Sequence, residues 1–363
     1  MNRFSRNTFN SNDDSLISTD LELPAVTMVI SAYNEQDVIS DKILNCMAID
    51  YPEDRIKFII GSDGCDDRTN EILQKLTDTR FHVVLIPQRR GKVRMLNLLM
   101  GLVHSDLVVF SDANTMYASD SIRKLVSKFN DEKVGCVIGH LELSAQTTDA
   151  DACKPEGMYW RYENKIKQLE SDLGAVPTVN GGIFAIRREL YNVLPEHAVT
   201  EDQVLGMKIM TQGYRCVFAD DARAHEDVAD WKGELRRRIR ISAGNFQSLF
   251  LVPQILNPRC GRVSFAFYSH KLLRWMVPFF LIGMLMANIL LVGKAFYGST
   301  MILQTIFYGS GLISTVTPKL TGVLKLLAIP KYFISMNFAI LIGFMRFVMK
   351  RQHVTWAKTR NIN

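Results

Sequence analysis

The chain has 363 residues, of which 47% are hydrophobic and 22% charged, enough to bury one large domain or two smaller ones. Its charge is unevenly divided, because residues 1–234 carry a net charge of −11 whereas residues 235–363 contain 17 Lys or Arg and no Asp or Glu. Its six cysteines include no Cys-x-x-Cys pair, which argues against a zinc site and against a secreted disulfide framework.

The first segment, residues 1–23, is polar and contains no apolar run of the kind found in signal peptides. We therefore predict that it is flexible and that the acidic part of the chain stays in the cytosol. From Val26 onward, short β-branched runs alternate with segments of helical period, which predicts an α/β fold with a mostly parallel sheet. The predicted strands are Val26–Ser31, Ile56–Gly61, His82–Ile86 and Leu107–Ser111, and helices are predicted to begin near Glu35, Asp66, Gly91 and Ser119.

Polar residues follow three of these strands, at the sheet edge where such folds bind ligands. Residues 32–35 follow the first strand, Asp63 follows the second, and Asp112 and Asn114 follow the fourth. Turn chemistry alone explains each of them, but three at one edge predict a binding site. No G-x-G-x-x-G or Walker motif is present, which argues against dinucleotide oxidoreductases and Walker-type nucleotidases. If this acidic edge binds the diphosphate of a nucleotide, a divalent cation is needed between the two sets of negative charges. Oxygen ligands suit Mg²⁺ or Mn²⁺.

Seven short motifs occur in order along the chain: Ser31-Ala-Tyr-Asn-Glu35, Ser62-Asp-Gly64, Gly91-Lys92, Ser111-Asp-Ala-Asn114, Asn180-Gly-Gly-Ile-Phe-Ala-Ile-Arg187, Thr200-Glu-Asp202 and Arg237-Arg-Ile-Arg-Ile241. This ordered series resembles the family 2 inverting nucleotide-sugar glycosyltransferases of GT-A fold, in particular the membrane-bound polysaccharide synthases. This resemblance predicts a glycosyltransferase domain over residues 24–250.

The resemblance also implies roles for particular residues. Asp202 would be the general base, and Asp112 would hold a metal ion together with Asn114, which stands where the family has a second acid. His225 is the candidate third metal ligand. The residues implied to bind substrate are Ala32, Tyr33, Asn34, Glu35, Asp63, Arg90, Lys92, Gly181, Glu201, Arg237 and Arg240.

The arginine segment 236–240 departs from the family pattern. Processive synthases carry Gln-x-x-Arg-Trp here, whereas this chain has Arg237 in place of Gln and Ile241 in place of Trp, and only Arg240 matches. Arg237 and Arg240 remain candidate diphosphate contacts, because guanidinium groups suit phosphate oxygens. A basic cluster is also typical of nucleic-acid and anionic-lipid surfaces, but no nucleic-acid fold signature accompanies this one, so we expect no nucleic-acid partner.

The basic tail contains long apolar runs, and we predict that residues 251–363 form an interfacial and transmembrane region ending in a basic segment. Leu272–Val292 is long enough to cross a bilayer, and Phe333–Val348 is a second candidate span. Met301–Val316 is diluted by polar residues, so that it could span, re-enter or lie flat. The alternative is a buried core helix. Basic residues flank both ends, which favours an even number of spans and a cytosolic face of the inner membrane. Ser269–Trp275 is interpreted as an interfacial anchor.

The predicted function is a metal-dependent, multi-pass membrane glycosyltransferase. It would transfer sugar from a UDP-type donor to a glycan or lipid-linked hydroxyl acceptor in polysaccharide biosynthesis. Two alternatives are retained: a transferase that charges polyprenyl phosphate with one sugar, and a catalytically silent membrane scaffold.

Overall fold

The computed structural model describes residues 23–144, 154–227, 231–316 and 327–352. Most of the predicted N-terminal segment, Cys153 and the end of the basic tail lie outside these residues. In the described part, one sheet of eight strands has the order β3-β2-β1-β4-β7-β6-β8-β5. The strands are β1 (Val26–Ala32), β2 (Ile56–Asp63), β3 (Phe81–Ile86), β4 (Leu107–Asp112), β5 (Met116–Tyr117), β6 (Val134–Ser144), β7 (Phe184–Arg187) and β8 (Arg215–Asp227).

The first four strands agree with the predicted ones to within two residues at each end, and the predicted α/β fold class is confirmed. β1 pairs in parallel with β2 and β4, and β2 with β3. Beyond β4 the sheet becomes mixed, because β7 runs antiparallel to both β4 and β6, and β5 antiparallel to β8. The parallel half brings its carboxyl ends to one edge, and Ser31 lies in register with Asp112.

Helices cover both faces of the sheet. Side chains alternate along each strand, so neighbouring residues pack on opposite faces. The helices of this part are α1 (Ile39–Met47), α2 (Thr69–Gln74), α3 (Lys92–Met100), α4 (Ser121–Ser127), α5 (Lys154–Asp172), α6 (Glu201–Thr211) and α7 (Trp231–Leu251). Met28 and Ile30 of β1 point to one face and pack with Ile39 of α1, whereas Val29 points to the other and packs with Met95 of α3.

The tail is helical in its described residues. Helix α8 (Arg262–Ala266) continues through a π-helical segment, Phe267–Leu272, into α9 (Leu273–Leu290), and α10 (Ala295–Val316) and α11 (Ala328–Val348) follow. By length and composition, Arg262–Leu290 and Ile329–Val348 could each cross a membrane. These two helices contain most residues of the predicted spans Leu272–Val292 and Phe333–Val348. In the diluted run, α10 forms a hairpin with α9, joined by a hydrogen bond of 2.9 Å from Asn288 Nδ2 to Gln304 Oε1.

Helix α11 runs parallel to α7 over most of its length. Near their starts, the rings of Trp231 and Tyr332 lie 6.5 Å apart, and near their ends those of Phe250 and Phe347 lie 5.3 Å apart. A Cβ atom added at Gly343 would lie only 2.5 Å from the Cβ of Ser242, so the absence of a side chain permits this close approach. The tail thus folds back onto the sheet-containing part.

Candidate active site

One cavity of about 1220 Å³ lies beyond the carboxyl ends of the parallel strands and extends to α9 and α11. The sequence-predicted residues that line it are Tyr33, Glu35, Asp63, Lys92, Asp112, Asn114, Gly181, Glu201, Asp202, Arg237 and Arg240. The remaining predicted residues, Ala32, Asn34, Arg90 and His225, are not among those that line it. The fold therefore gathers residues from seven separate motifs around one space.

At one end of the cavity, Asp63 holds the loop that follows β3. Its carboxylate accepts hydrogen bonds from the backbone nitrogens of Arg90, at 2.6 Å, and Gly91, at 2.7 Å. The turn requires glycine at position 64, where φ is +64° and a Cβ would lie 2.3 Å from the backbone nitrogen of Arg89. The guanidinium of Arg89 lies 3.6 Å from the ring centroid of Tyr33. The side chain at the cavity is thus that of Arg89, and Arg90 contributes its backbone.

Lys92 joins two of the predicted carboxylates. Its ammonium lies 2.6 Å from Asp112 Oδ1, at the end of β4, and 2.8 Å from Glu201 Oε1, at the start of α6. Burial opposes the charged form of Lys92, but the two carboxylates outweigh it and raise the pKa of the lysine. Burial also opposes the charged form of Asp112, yet Lys92, followed by Arg237 and Arg240, lowers the pKa of this carboxyl. Asp112 is therefore an anion at neutral pH.

A buried lysine that the sequence analysis missed supports the loop carrying Asp112 and Asn114. Lys42 of α1 donates hydrogen bonds to Ser111 Oγ at 2.8 Å and to the Thr115 carbonyl at 2.5 Å. Burial lowers the pKa of Lys42. No sequence pattern identifies Lys42, because a single lysine on the buried face of α1 leaves the amphipathic period of the helix unchanged.

Asp202 lies in the first turn of α6, and its Oδ1 accepts a hydrogen bond of 2.8 Å from the backbone nitrogen of Gln203. A Cβ added at Gly181 would lie 3.1 Å from Asp202 Oδ2, so the Asn180-Gly181-Gly182 turn packs against the carboxylate. Burial, followed by the neighbouring charge of Glu201, raises the pKa of Asp202 to about 6. A carboxyl with this pKa is suited to accept a proton at neutral pH.

The predicted metal ligands occupy different positions. Asp112 and Asn114 line the cavity, and Asn114 Nδ2 donates to Glu226 Oε1 at 3.1 Å. Glu226 also lines the cavity, whereas the imidazole of His225 lies 3.4 Å from Asp227. Within the described ranges no group of three or more His, Cys, Asp or Glu side chains could hold a metal alone. The oxygens of Asp112, Asn114 and Glu226 fit a hard cation that completes its shell with oxygens of a bound ligand.

The arginines of α7 form another wall. Arg237 lies 3.8 Å from Glu226 Oε1, and Arg238 pairs with Glu234 at 2.5 Å. Arg240 donates to the Val199 carbonyl at 3.3 Å. Burial lowers the pKa of Arg240, although the guanidinium remains a cation in proteins. Arg237 and Arg240 thus present positive charge beside the acidic edge.

A second buried charge cluster joins α5 to the start of the tail. Glu163 lies 2.9 Å from Lys271 and 2.6 Å from Arg274, and His270 Nδ1 lies 2.6 Å from Glu170. Burial opposes the charged form of Glu163, but Lys271, His270 and Arg274 lower the pKa of this carboxyl. On the same helix, Lys167 donates to Asn180 Oδ1 at 3.3 Å, and burial lowers its pKa to about 8. His270, Lys271 and Trp275 are buried, so the 269–275 segment is an internal link rather than the predicted interfacial anchor.

Comparisons with known proteins indicate one family and one fold. The family model described as "Glycosyltransferase like family 2" matches residues 24–244. The Bacillus subtilis protein named probable glycosyltransferase YdaM is 26% identical over 298 residues, covering 76% of this chain and 68% of that protein. A poly-beta-1,6-N-acetyl-D-glucosamine synthase of Staphylococcus aureus is 28% identical over 235 residues, or 63% of this chain. This chain spans 56% of the length of that synthase.

Among solved structures, a mannosyltransferase from Pyrobaculum calidifontis, in complex with GDP-Man and Mn²⁺, superposes with a TM-score of 0.68. The superposition covers 92% of this chain and 89% of the mannosyltransferase, at 20% sequence identity. At that identity the likeness concerns the fold, which is GT-A.

Proposed function

Because this chain belongs to glycosyltransferase family 2, and is therefore a glycosyltransferase, we propose that it is an inverting enzyme using a nucleotide diphosphate sugar and a hydroxyl acceptor. The observation that carries the proposal is Asp202, a carboxyl with a pKa of about 6 in the cavity that also holds Asp112. Two relatives are named as a poly-β-1,6-N-acetylglucosamine synthase and an N-acetylglucosaminyltransferase. We therefore propose a UDP-sugar donor and a role in polysaccharide assembly.

The proposed reaction is a single displacement. The acceptor oxygen forms a bond to the anomeric carbon of the donor as the bond from that carbon to the diphosphate oxygen breaks. Asp202 takes the proton from the acceptor hydroxyl, and the nucleoside diphosphate leaves with the bonding electron pair. Arg237 and Arg240 contact the diphosphate, while Tyr33, Glu35, Asp63 and Arg89 surround the nucleoside.

Asp112 and Asn114 would hold Mg²⁺ or Mn²⁺, and we propose Glu226 rather than His225 as the third protein ligand because Glu226 lines the cavity. When bound, the cation would offset negative charge on the leaving diphosphate. The mannosyltransferase of the same fold was solved with Mn²⁺, which supports a divalent ion without choosing between the two.

We also propose that the α9–α10 hairpin enters the membrane and that α11 returns to the cytosolic face. Asn288 bonds to Gln304 and Thr300 inside this hairpin, at 2.9 Å in both cases, and polar bonds of this kind join helices in bilayers. The division into a catalytic domain, 24–250, and a membrane region, 251–363, remains a prediction. Because α11 packs along α7, part of the second region contacts the first.

A transferase acting on polyprenyl phosphate is the second candidate, supported by Arg236, Arg346 and Arg351, which line the cavity and form no ion pair with a described residue. A phosphate acceptor is already ionised and does not need a base. The two functions therefore differ in their requirement for Asp202.

The decisive test is Asp202→Asn. We expect transfer to fall by about 10²–10⁴-fold, since proton removal is lost, while nucleotide sugars still raise the melting temperature of the protein. Asp221→Asn, an exposed carboxylate of β8 outside the cavity, is the matched control. The screen would begin with UDP-N-acetylglucosamine and GDP-mannose, with and without Mn²⁺. Unchanged transfer by Asp202→Asn would reject the hydroxyl-acceptor mechanism in favour of the phosphate acceptor.

A further inference from the structure

The cavity extends well beyond the space around Asp202, and its far wall is mostly apolar. Side chains of α11, spaced three or four residues apart, form this wall together with Val277 of α9. They are Ile329, Phe333, Met336 and Ile340, and the polar side chains of Tyr332 and Asn337 also line the cavity here. A sugar or a nucleotide has no use for an apolar wall of this length, because burying polar hydroxyls against it would cost hydrogen bonds. An apolar portion of the second substrate would suit this wall.

Positive charge stands beside this wall. Arg346 in the last turn of α11, Arg351 just beyond that helix and Arg236 of α7 all line the cavity. Among the described residues, none of these three forms an ion pair, and the tail itself contains no Asp or Glu that could supply one. Other cations that line the cavity differ, since Lys92 pairs with Asp112 and Glu201, and Arg274 with Glu163. The unpaired guanidinium groups are thus available to an anionic ligand.

An aromatic cluster joins the helices around this wall. The ring of Phe344 of α11 lies 5.1 Å from that of Phe246 of α7 and 4.9 Å from that of Phe279 of α9. The cluster therefore holds these three helices together. By length and composition, α9 lies in a helix able to cross a membrane, and Trp275 and Val277 near its start line the cavity.

We propose that the acceptor is a sugar linked through diphosphate to a long lipid chain. The chain lies along Ile329, Phe333, Met336 and Ile340, Arg346 and Arg351 bind the diphosphate, and the sugar hydroxyl reaches Asp202. This inference rests on the proposed transferase function and specifies its acceptor. No bond to the lipid diphosphate changes in the reaction, so the arginines hold the acceptor and take no part in proton transfer.

Charge and shape distinguish the proposed acceptor from two simpler ligands, a membrane phospholipid and free diphosphate. A membrane phospholipid has an anionic group and apolar chains but no sugar to place beside Asp202. Free diphosphate has the charge but makes no use of the apolar wall. Guanidinium groups bind phosphate oxygens through paired hydrogen bonds, so removal of two of them has a measurable effect.

The test measures equilibrium binding of tritiated polyprenyl diphosphate-linked N-acetylglucosamine to the full chain in phosphatidylcholine nanodiscs. The double variant Arg346→Gln and Arg351→Gln is expected to bind at least about tenfold more weakly, as two charged hydrogen-bonding groups are lost. The matched control replaces Arg259 and Arg262, two tail arginines outside the cavity, with Gln and should bind within about twofold of the parent.

A second pair of variants tests the apolar wall. Met336→Trp fills the wall and should weaken binding of the lipid probe, whereas Met345→Trp, on a residue of α11 that is 44% exposed and outside the cavity, should not. An excess of phosphatidylglycerol or inorganic diphosphate should fail to displace the probe. Displacement by either one, or parent-like binding by both the double arginine variant and Met336→Trp, would overturn the inference.

The same preparations separate this inference from the proposed function. Stabilisation by a nucleotide sugar reports on the donor site without any lipid. Donor binding by the parent together with lipid binding that ignores Arg346 and Arg351 rejects only the acceptor site. Absence of donor binding by the parent under all metal conditions rejects the proposed function itself.

Discussion

Strand β1 and helix α9 are both rich in apolar residues, but they bury them in different ways. Met28 and Ile30 in β1 have no exposed surface, because helices of the same chain cover the sheet. In α9, Ile282 remains 47% exposed and Leu290 77% exposed. The comparison teaches that apolar composition alone does not identify a core: helices of the chain cover the sheet, whereas the described residues leave much of the apolar surface of α9 exposed.

Charge connects the two regions that apolar packing distinguishes. The first 234 residues are acidic and the tail is basic, and Glu163 of the acidic part binds Lys271 and Arg274 of the tail. Glu170 likewise binds His270. Some of the oppositely charged residues of the two regions therefore form specific buried contacts between the catalytic part and the start of α9.

The largest expected effect tests the difference in burial. Phe58→Ala, in the core of β2, should lower the free energy of unfolding by about 3–5 kcal/mol, because a fully buried ring leaves a cavity. Leu290→Ala, at the exposed end of α9, should change it by less than about 0.5 kcal/mol in detergent. Urea unfolding followed by circular dichroism measures both. Equal losses would show that α9 is buried within the protein in solution.

The next effect tests the connection between the regions. Glu163→Gln removes the charge that neutralises Lys271 and Arg274, so the free energy of unfolding should fall by about 3 kcal/mol. Limited proteolysis should then cut the chain near the start of the tail sooner than in the parent. Glu53→Gln, which alters an exposed pair with Arg80, is the control and should be nearly neutral.

A smaller effect concerns the acid-sensitive group of the catalytic part. With the pKa of Asp202 at about 6, the transfer rate should fall about tenfold per pH unit below that value, because only the carboxylate can accept a proton. The folded pKa lies above the ordinary value of 3.8, so the folded state loses stability as pH rises between the two. Asp202→Asn should therefore melt at a higher temperature than the parent at neutral pH. A rate independent of pH from 5 to 7 would contradict the assignment of the base.

The smallest expected effect distinguishes two neighbouring residues. Glu226→Gln should weaken Mn²⁺-dependent nucleotide binding by about fivefold, since an amide oxygen ligates a hard cation less strongly than a carboxylate. His225→Gln should leave it unchanged if Glu226 is the ligand. Titration calorimetry with the nucleotide, at fixed Mn²⁺, measures both variants. The opposite order would restore His225 as the third ligand.

The sequence by itself determined the parallel half of the sheet and the edge at which polar residues gather, because alternation and strand-end chemistry are local properties. It also located the apolar runs and the change of charge after Glu234. These features need no knowledge of distant contacts, and β1 to β4 follow them closely.

Only the tertiary structure decided which neighbouring side chain faces the cavity, since adjacent residues in a strand or loop point in different directions. It placed Arg89 rather than Arg90, and Glu226 rather than His225, along the cavity wall. It also brought Glu163 to His270 and Lys42 to Ser111, and packed α11 along α7. Such contacts join residues about 70 or more positions apart, and they depend on how the helices fold back over the sheet, which no local pattern records.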